Sequence, residues 1–119
     1  MLVIESVDKD GLSKFLSKLL NAWRGFLGSS DEPMINMICA FREMVWRVIL
    51  FPRVKHRPDV YFKEGEERIL MSPAAVDMGG LIITPLEKDF QRLDAGMIES
   101  IFSEVSLDEK KMNKIVAGL

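Results

Sequence analysis

Three cations and the chain's single histidine fall within six residues, Arg53-Val54-Lys55-His56-Arg57-Pro58, directly after an apolar run over residues 45–51. In extended backbone the side chains alternate, so Arg53, Lys55 and Arg57 project to one side and His56 to the other. Three cations on one side can hold a phosphate chain, with arginine giving paired hydrogen bonds and lysine a mobile point charge. The same residues also read as a solvated strand end, where positive charge discourages edge pairing. His56 by itself is no nucleophile, because nucleotidyl transfer through histidine needs partners that orient the imidazole. The sequence holds no second histidine, no cysteine pair and no glycine-rich phosphate loop. It therefore presents a binding edge without a full set of catalytic groups.

The other chemistry-bearing residues are weaker. Ser72-Pro73-Ala74-Ala75-Val76-Asp77-Met78-Gly79-Gly80 is rich in small residues that let a backbone approach a ligand or another strand. It lacks both the G-x-G-x-x-G spacing of a dinucleotide loop and the lysine of a P-loop. Asp77 is read as holding a turn through local hydrogen bonds, with a functional carboxylate as the alternative. Cys39, the sole cysteine, excludes a disulfide within the chain and points to a reducing compartment, the cytoplasm. It is expected to be a small buried strand residue and not a nucleophile. Glu64, Glu66 and Glu67 make a charged turn, while Glu87, Asp89, Glu99 and Glu104 fall on expected helix surfaces. None of them pairs with His56 in a metal-ligand pattern, so neither a metal nor another cofactor is expected.

These residues must be positioned by a chain of 119 residues, most simply one domain. Sixteen basic against eighteen acidic residues leave a net charge of -2, so any anion site is local and nucleic acid is not an expected partner. No apolar run approaches the length of a membrane span, and the N-terminus lacks the plan of a signal peptide. A short strand over residues 2–4 starts at once after Met1, which points to a piece cut from a longer protein. From Asp8 the period changes: Leu12, Phe15, Leu16, Leu19, Leu20, Trp23, Phe26 and Leu27 share one helical face, with Asp8 as cap and Gly28 as terminator. Residues 34–41 and 45–51 read as a hairpin linked through Arg42-Glu43-Met44. Two further short strands are expected at 68–72 and 81–84, with residues 73–80 irregular between them. Thr84-Pro85-Leu86-Glu87 reads as a helix start, and a further helix is expected over about 94–105. A capping box at Ser106-Leu107-Asp108-Glu109 then opens a last helix. Strands grouped in the middle with helices around them predict an α+β fold with a mainly antiparallel sheet.

The order Met34-Ile35-Asn36-Met37-Ile38, then Trp46 opening an apolar strand, then Pro52-Arg53, resembles the C-terminal part of ATP adenylyltransferases, the diadenosine tetraphosphate phosphorylases. Residues 72–85 resemble their following small-residue, glycine and apolar-strand segment. A closer resemblance is to a branch of bacterial proteins reading FPR-x-KHRP, then SP-x-x-x-D-x-GG, then ITP and a helix, as here. The GDP-hexose phosphorylases belong to the same wider group. The likeness covers residues 34–107 and implies a histidine-triad-like fold, nucleotide phosphates or a dinucleoside polyphosphate as ligands, and nucleotidyl transfer to phosphate as the parent reaction. That chemistry runs through a His-x-His-x-(His or Gln) motif, which lies N-terminal to the matched region and does not occur in this sequence. The resemblance thus implies a C-terminal domain that is inactive alone and works beside an N-terminal catalytic domain. Arg53, Lys55 and Arg57 would lie nearest the phosphates, His56 would donate a hydrogen bond, and Asn36 would add a polar contact. The rival is a structural or oligomerisation module that binds no nucleotide and pairs through an exposed strand edge with a partner domain or a second copy.

Overall fold

The computed structural model describes residues 1–28 and 30–119. Asp8 starts the first helix, α1 (Lys9–Leu27), by accepting hydrogen bonds from the backbone N–H groups of Asp10 and Gly11, both at 3.0 Å. Gly28 ends it at φ 63°, a left-handed conformation that a Cβ would strain. The buried stripe of α1 is Leu12, Leu19 and Trp23. Phe15, Phe26 and Leu27, expected on that face, stay exposed; α1 lies mainly against β1 (Leu2–Ser6) and the last helix, α5 (Glu109–Ala117).

The hairpin forms from β2 (Ile35–Arg42) and β3 (Val45–Pro52), joined by Glu43 and Met44 at φ 53° and 64°. Two successive positive φ values give the twist that a two-residue hairpin link requires. β1 pairs antiparallel with the other side of β3, so the sheet order is β1-β3-β2. Leu2, Ile4, Val48, Leu50 and Ile35 share a face that packs with α1 and α5 residues into one core around Leu19, Trp23, Met112 and Ile115. Helices roof β1 and β3 but leave most of β2 open. Cys39, opposite Val48 on that face, is exposed and not buried as expected, and so are Met37 and Phe41.

A second, smaller core gathers Ile69, Met71 and Ile101 with Val60, Ile82, Leu93, Met97 and Phe102. Residues 68–72 were expected to be a strand; they run as irregular chain into this core. Their donors go elsewhere than to a neighbouring strand: Ile69 N–H bonds to the Val60 carbonyl at 3.2 Å and Leu70 N–H to Asp89 at 2.9 Å. Asp89 is accordingly fully buried, a correction to its expected place on a helix surface. Residues 81–84 form no strand either; Leu81 bonds back to Val76, and Leu81 and Ile83 face solvent. Between these stretches, residues 75–78 make one helical turn, α2 (Ala75–Met78), where irregular chain was expected.

The remaining helices shift some of the expected caps. Leu86, with no side-chain hydrogen bond, precedes α3 (Glu87–Arg92), so Thr84 does not cap it. Asp94 caps α4 (Ala95–Val105) through Met97 N–H at 2.8 Å. Asp108 caps α5 through Lys111 N–H at 2.9 Å, while Ser106, expected as the cap, forms a bridge with Arg53. The architecture is α+β, a three-stranded antiparallel sheet flanked by helices. Its radius of gyration, 16.4 Å, exceeds the roughly 13.5 Å of a globular domain this long, as two cores side by side require. Among the described residues no helix is long and apolar enough to cross a membrane.

Two measurements check these assignments. Glu43→Asn/Met44→Gly should stabilise the protein by about 1 kcal/mol in urea unfolding, since Asn-Gly accepts positive φ with less strain. Burial pushes the Asp89 carboxyl upward, but Lys88, the Leu70 N–H and the field of Arg92 outweigh it and hold the group below its usual range. A depressed folded pKa stabilises above the unfolded pKa near 4, and the gain is lost as pH falls through the folded value. Asp89→Asn should therefore lower the urea midpoint at pH 7, with the gap to wild type closing toward pH 3.

A candidate anion-binding site beside the hairpin

Pro52 ends β3, and the chain beyond it meets the end of α4 instead of a strand. Leu107 N–H bonds to the Pro52 carbonyl and Val54 N–H to the Val105 carbonyl, both at 2.9 Å. This bridge turns residues 53–59 across the open end of the hairpin. There, Asn36, Arg53, Lys55, His56 and Arg57 line one cavity of about 940 Å³, together with Asp59, Phe62, Ser72 and Pro73. The five residues expected to act together are thus brought together, but not as a row of cations on one side.

Arg53 is only 6% exposed, and its guanidinium is committed to the protein. Nη1 donates to Asn36 Oδ1 at 2.9 Å and to the Pro73 carbonyl, and Nη2 donates to the His56 carbonyl at 2.7 Å. Burial lowers its pKa from the ordinary guanidinium value, with the Asp77 carboxylate acting the other way. The group remains a cation at neutral pH. Asn36 serves here as its acceptor. Asp77 holds the turn as expected, accepting from Ala74 N–H at 2.8 Å.

Lys55 turns to α4, where its ammonium meets Asp59 Oδ1 at 2.9 Å and Glu104 Oε1 at 3.1 Å. Those two hydrogen bonds raise the lysine pKa, and Lys55 in turn holds the Asp59 carboxyl below its usual range. Both Glu104 oxygens also accept from Asp59 N–H at 3.1 Å, pinning the start of a 3-10 turn over Asp59–Phe62. Two carboxylates thus offset the charge of Lys55.

Within residues 53–57, Arg57 and His56 are the exposed polar residues. The Arg57 guanidinium lies 4.4 Å from the centre of the Tyr61 ring, with Arg68 at 5.3 Å from it. Among the described residues neither the Arg57 guanidinium nor the His56 imidazole makes an ion pair or hydrogen bond. Stacking fixes the position of Arg57 while leaving its donors available. The cavity therefore has one buried guanidinium in its wall, one neutralised lysine, and an arginine and an imidazole open to solvent. Such a set can bind an oxyanion. Asp59 and Phe62 line the cavity without having been singled out from the sequence, although an aromatic pair just after a Pro-Asp turn start was a legible signal. Among the described residues no group of three or more His, Cys, Asp or Glu side chains is placed to hold a metal.

Removing the Arg53 guanidinium should leave three acceptors of the cavity wall without their donor. Arg53→Met should cost about 3 kcal/mol in urea unfolding. Arg53→Lys should recover little of it, because a point ammonium cannot serve the same fork of acceptors.

No curated protein and no solved structure matches the chain. A family model described as "GDPGP1-like, C-terminal domain" matches residues 1–118. Because that match takes in both cores and the whole cavity, the chain belongs to the GDPGP1-like C-terminal domain family.

Proposed function

We propose that this domain completes the nucleotide site of a phosphorylase that transfers a nucleotidyl group to phosphate, contributing anion binding and not the reacting group. The observation that carries the reading is the cavity, in which Asn36, Arg53, Lys55, His56 and Arg57 all take part. Its support from the comparisons is membership of a family described as the C-terminal domain of a larger type of protein. Arg57 and His56 meet the phosphates. Arg53, Asn36 and Lys55 act one step back, setting the wall and the turn that present them.

A histidine-triad-like fold, a place in the bacterial branch and a cytoplasmic setting belong to this proposal. So does a catalytic domain N-terminal to the segment. His56 is followed by arginine and proline, with no His-x-His motif anywhere in the sequence. The imidazole that forms the covalent intermediate comes from outside these residues, so the domain by itself turns over no nucleotide.

A second reading, an interaction module that binds no nucleotide, draws on the unroofed side of β2, where Met37, Cys39 and Phe41 are exposed. Calorimetric titration with pyrophosphate and GDP separates the two. The anion-site reading expects binding that weakens with added salt and falls roughly 10-fold or more in Arg57→Ala. Absence of heat from wild type with both probes, joined to a dimer by light scattering, would favour the interaction module.

A further inference from the structure

We infer that Phe62 is the face on which the ring of a nucleoside stacks while Arg57 and His56 hold its phosphates. The inference rests on the anion-site reading and adds what that reading leaves open: a means of telling nucleoside phosphates from anions that carry no aromatic ring.

Phe62 is 68% exposed, and lone exposed apolar side chains need no explanation. Its placement makes it different. The side chain faces solvent from the wall of the same open cavity as Arg57 and His56, beside those cations. The cavity, about 940 Å³, lies within the size range of small-molecule sites. An apolar plane next to phosphate-binding donors is the pairing that a nucleotide needs and that pyrophosphate cannot use.

The ring is also braced. Its neighbour Tyr61 meets it edge-on, centroids 5.4 Å apart and planes at 71°. Arg57 and Arg68 in turn stack near the Tyr61 ring. The turn that carries both aromatics is tied at its start by Glu104 and in its middle by the Ile69 N–H to the Val60 carbonyl. A ring held in advance loses little freedom when a ligand stacks on it. Arg57 thus reaches the ligand's phosphates from the support that fixes the stacking face.

Calorimetry of the whole chain with GDP, ADP and pyrophosphate tests the assignment. Wild type should bind both nucleotides more tightly than pyrophosphate. Phe62→Ala should weaken GDP and ADP about 10-fold, the scale of base stacking on an aromatic side chain, with pyrophosphate unchanged. Phe62→Leu should behave like Phe62→Ala, and Phe62→Trp should restore nucleotide binding. Thermal unfolding of each variant should match wild type, since the side chain is solvent-facing. Unchanged GDP affinity in Phe62→Ala would overturn the inference, as would equal losses for GDP and pyrophosphate, which would make Phe62 a support of the turn. Wild type that binds pyrophosphate through Arg57 but prefers neither nucleotide would refute stacking and leave the anion site standing. Wild type that binds none of the three would refute both.

Discussion

A guanidinium ion can be taken out of water only if acceptors inside the protein replace its hydration. Arg53 meets that condition with acceptors from three separated stretches of chain: the Asn36 side chain on β2, the His56 carbonyl beyond β3, and the Pro73 carbonyl leading into α2. Its backbone adds a hydrogen bond to the Met34 carbonyl at 2.9 Å and the bridge to Ser106. The larger core lies between sheet, α1 and α5, and the smaller one lies against α4. Arg53 sits where the chain passes from one to the other. Without that fork, the hairpin end, the 53–59 segment and the small-residue stretch would have no common fixed point.

The same requirement divides the labour among the cations. A charge that must be buried is spent on the protein's own carbonyls, and a charge beside two carboxylates is offset by them. Arg53 and Lys55 are of those two kinds, and what they hold in place is a third cation, Arg57, stacked on Tyr61 with its donors open. The segment has little net charge around it, in keeping with a chain whose overall charge is -2. With so small a net charge, long-range steering is weak and directed hydrogen bonds act only at short range.

The sheet carries a second consequence of having two cores. Three strands offer one apolar face, and α1 and α5 are too few to cover all of it. The uncovered share falls on β2, where Phe41 rests against Trp46 with ring centres 4.5 Å apart and Met37 and Cys39 lie open. β2 is also an edge strand of the sheet, so its outer backbone groups have no strand partner among the described residues.

Local rules were enough for much of this. Asp8 and Gly28 bound α1, the apolar runs around Glu43-Met44 formed the hairpin, and Asp94 opened α4, because capping, period and turn chemistry act over a few residues. The cluster 53–57 was equally visible, since charge type and spacing are properties of the chain. What each cation does was not. Arg53 and Arg57 are alike in sequence, and only the arrival of Asn36 and Pro73 beside one, and of Tyr61 beside the other, makes the first a buried clamp and the second an exposed, stacked cation. The same holds for residues 68–72 and for Asp89: an apolar run read as a strand became irregular chain because a carboxylate nineteen residues away took its backbone donor. Burial and partnership depend on contacts between distant segments, and those are decided when the cores assemble.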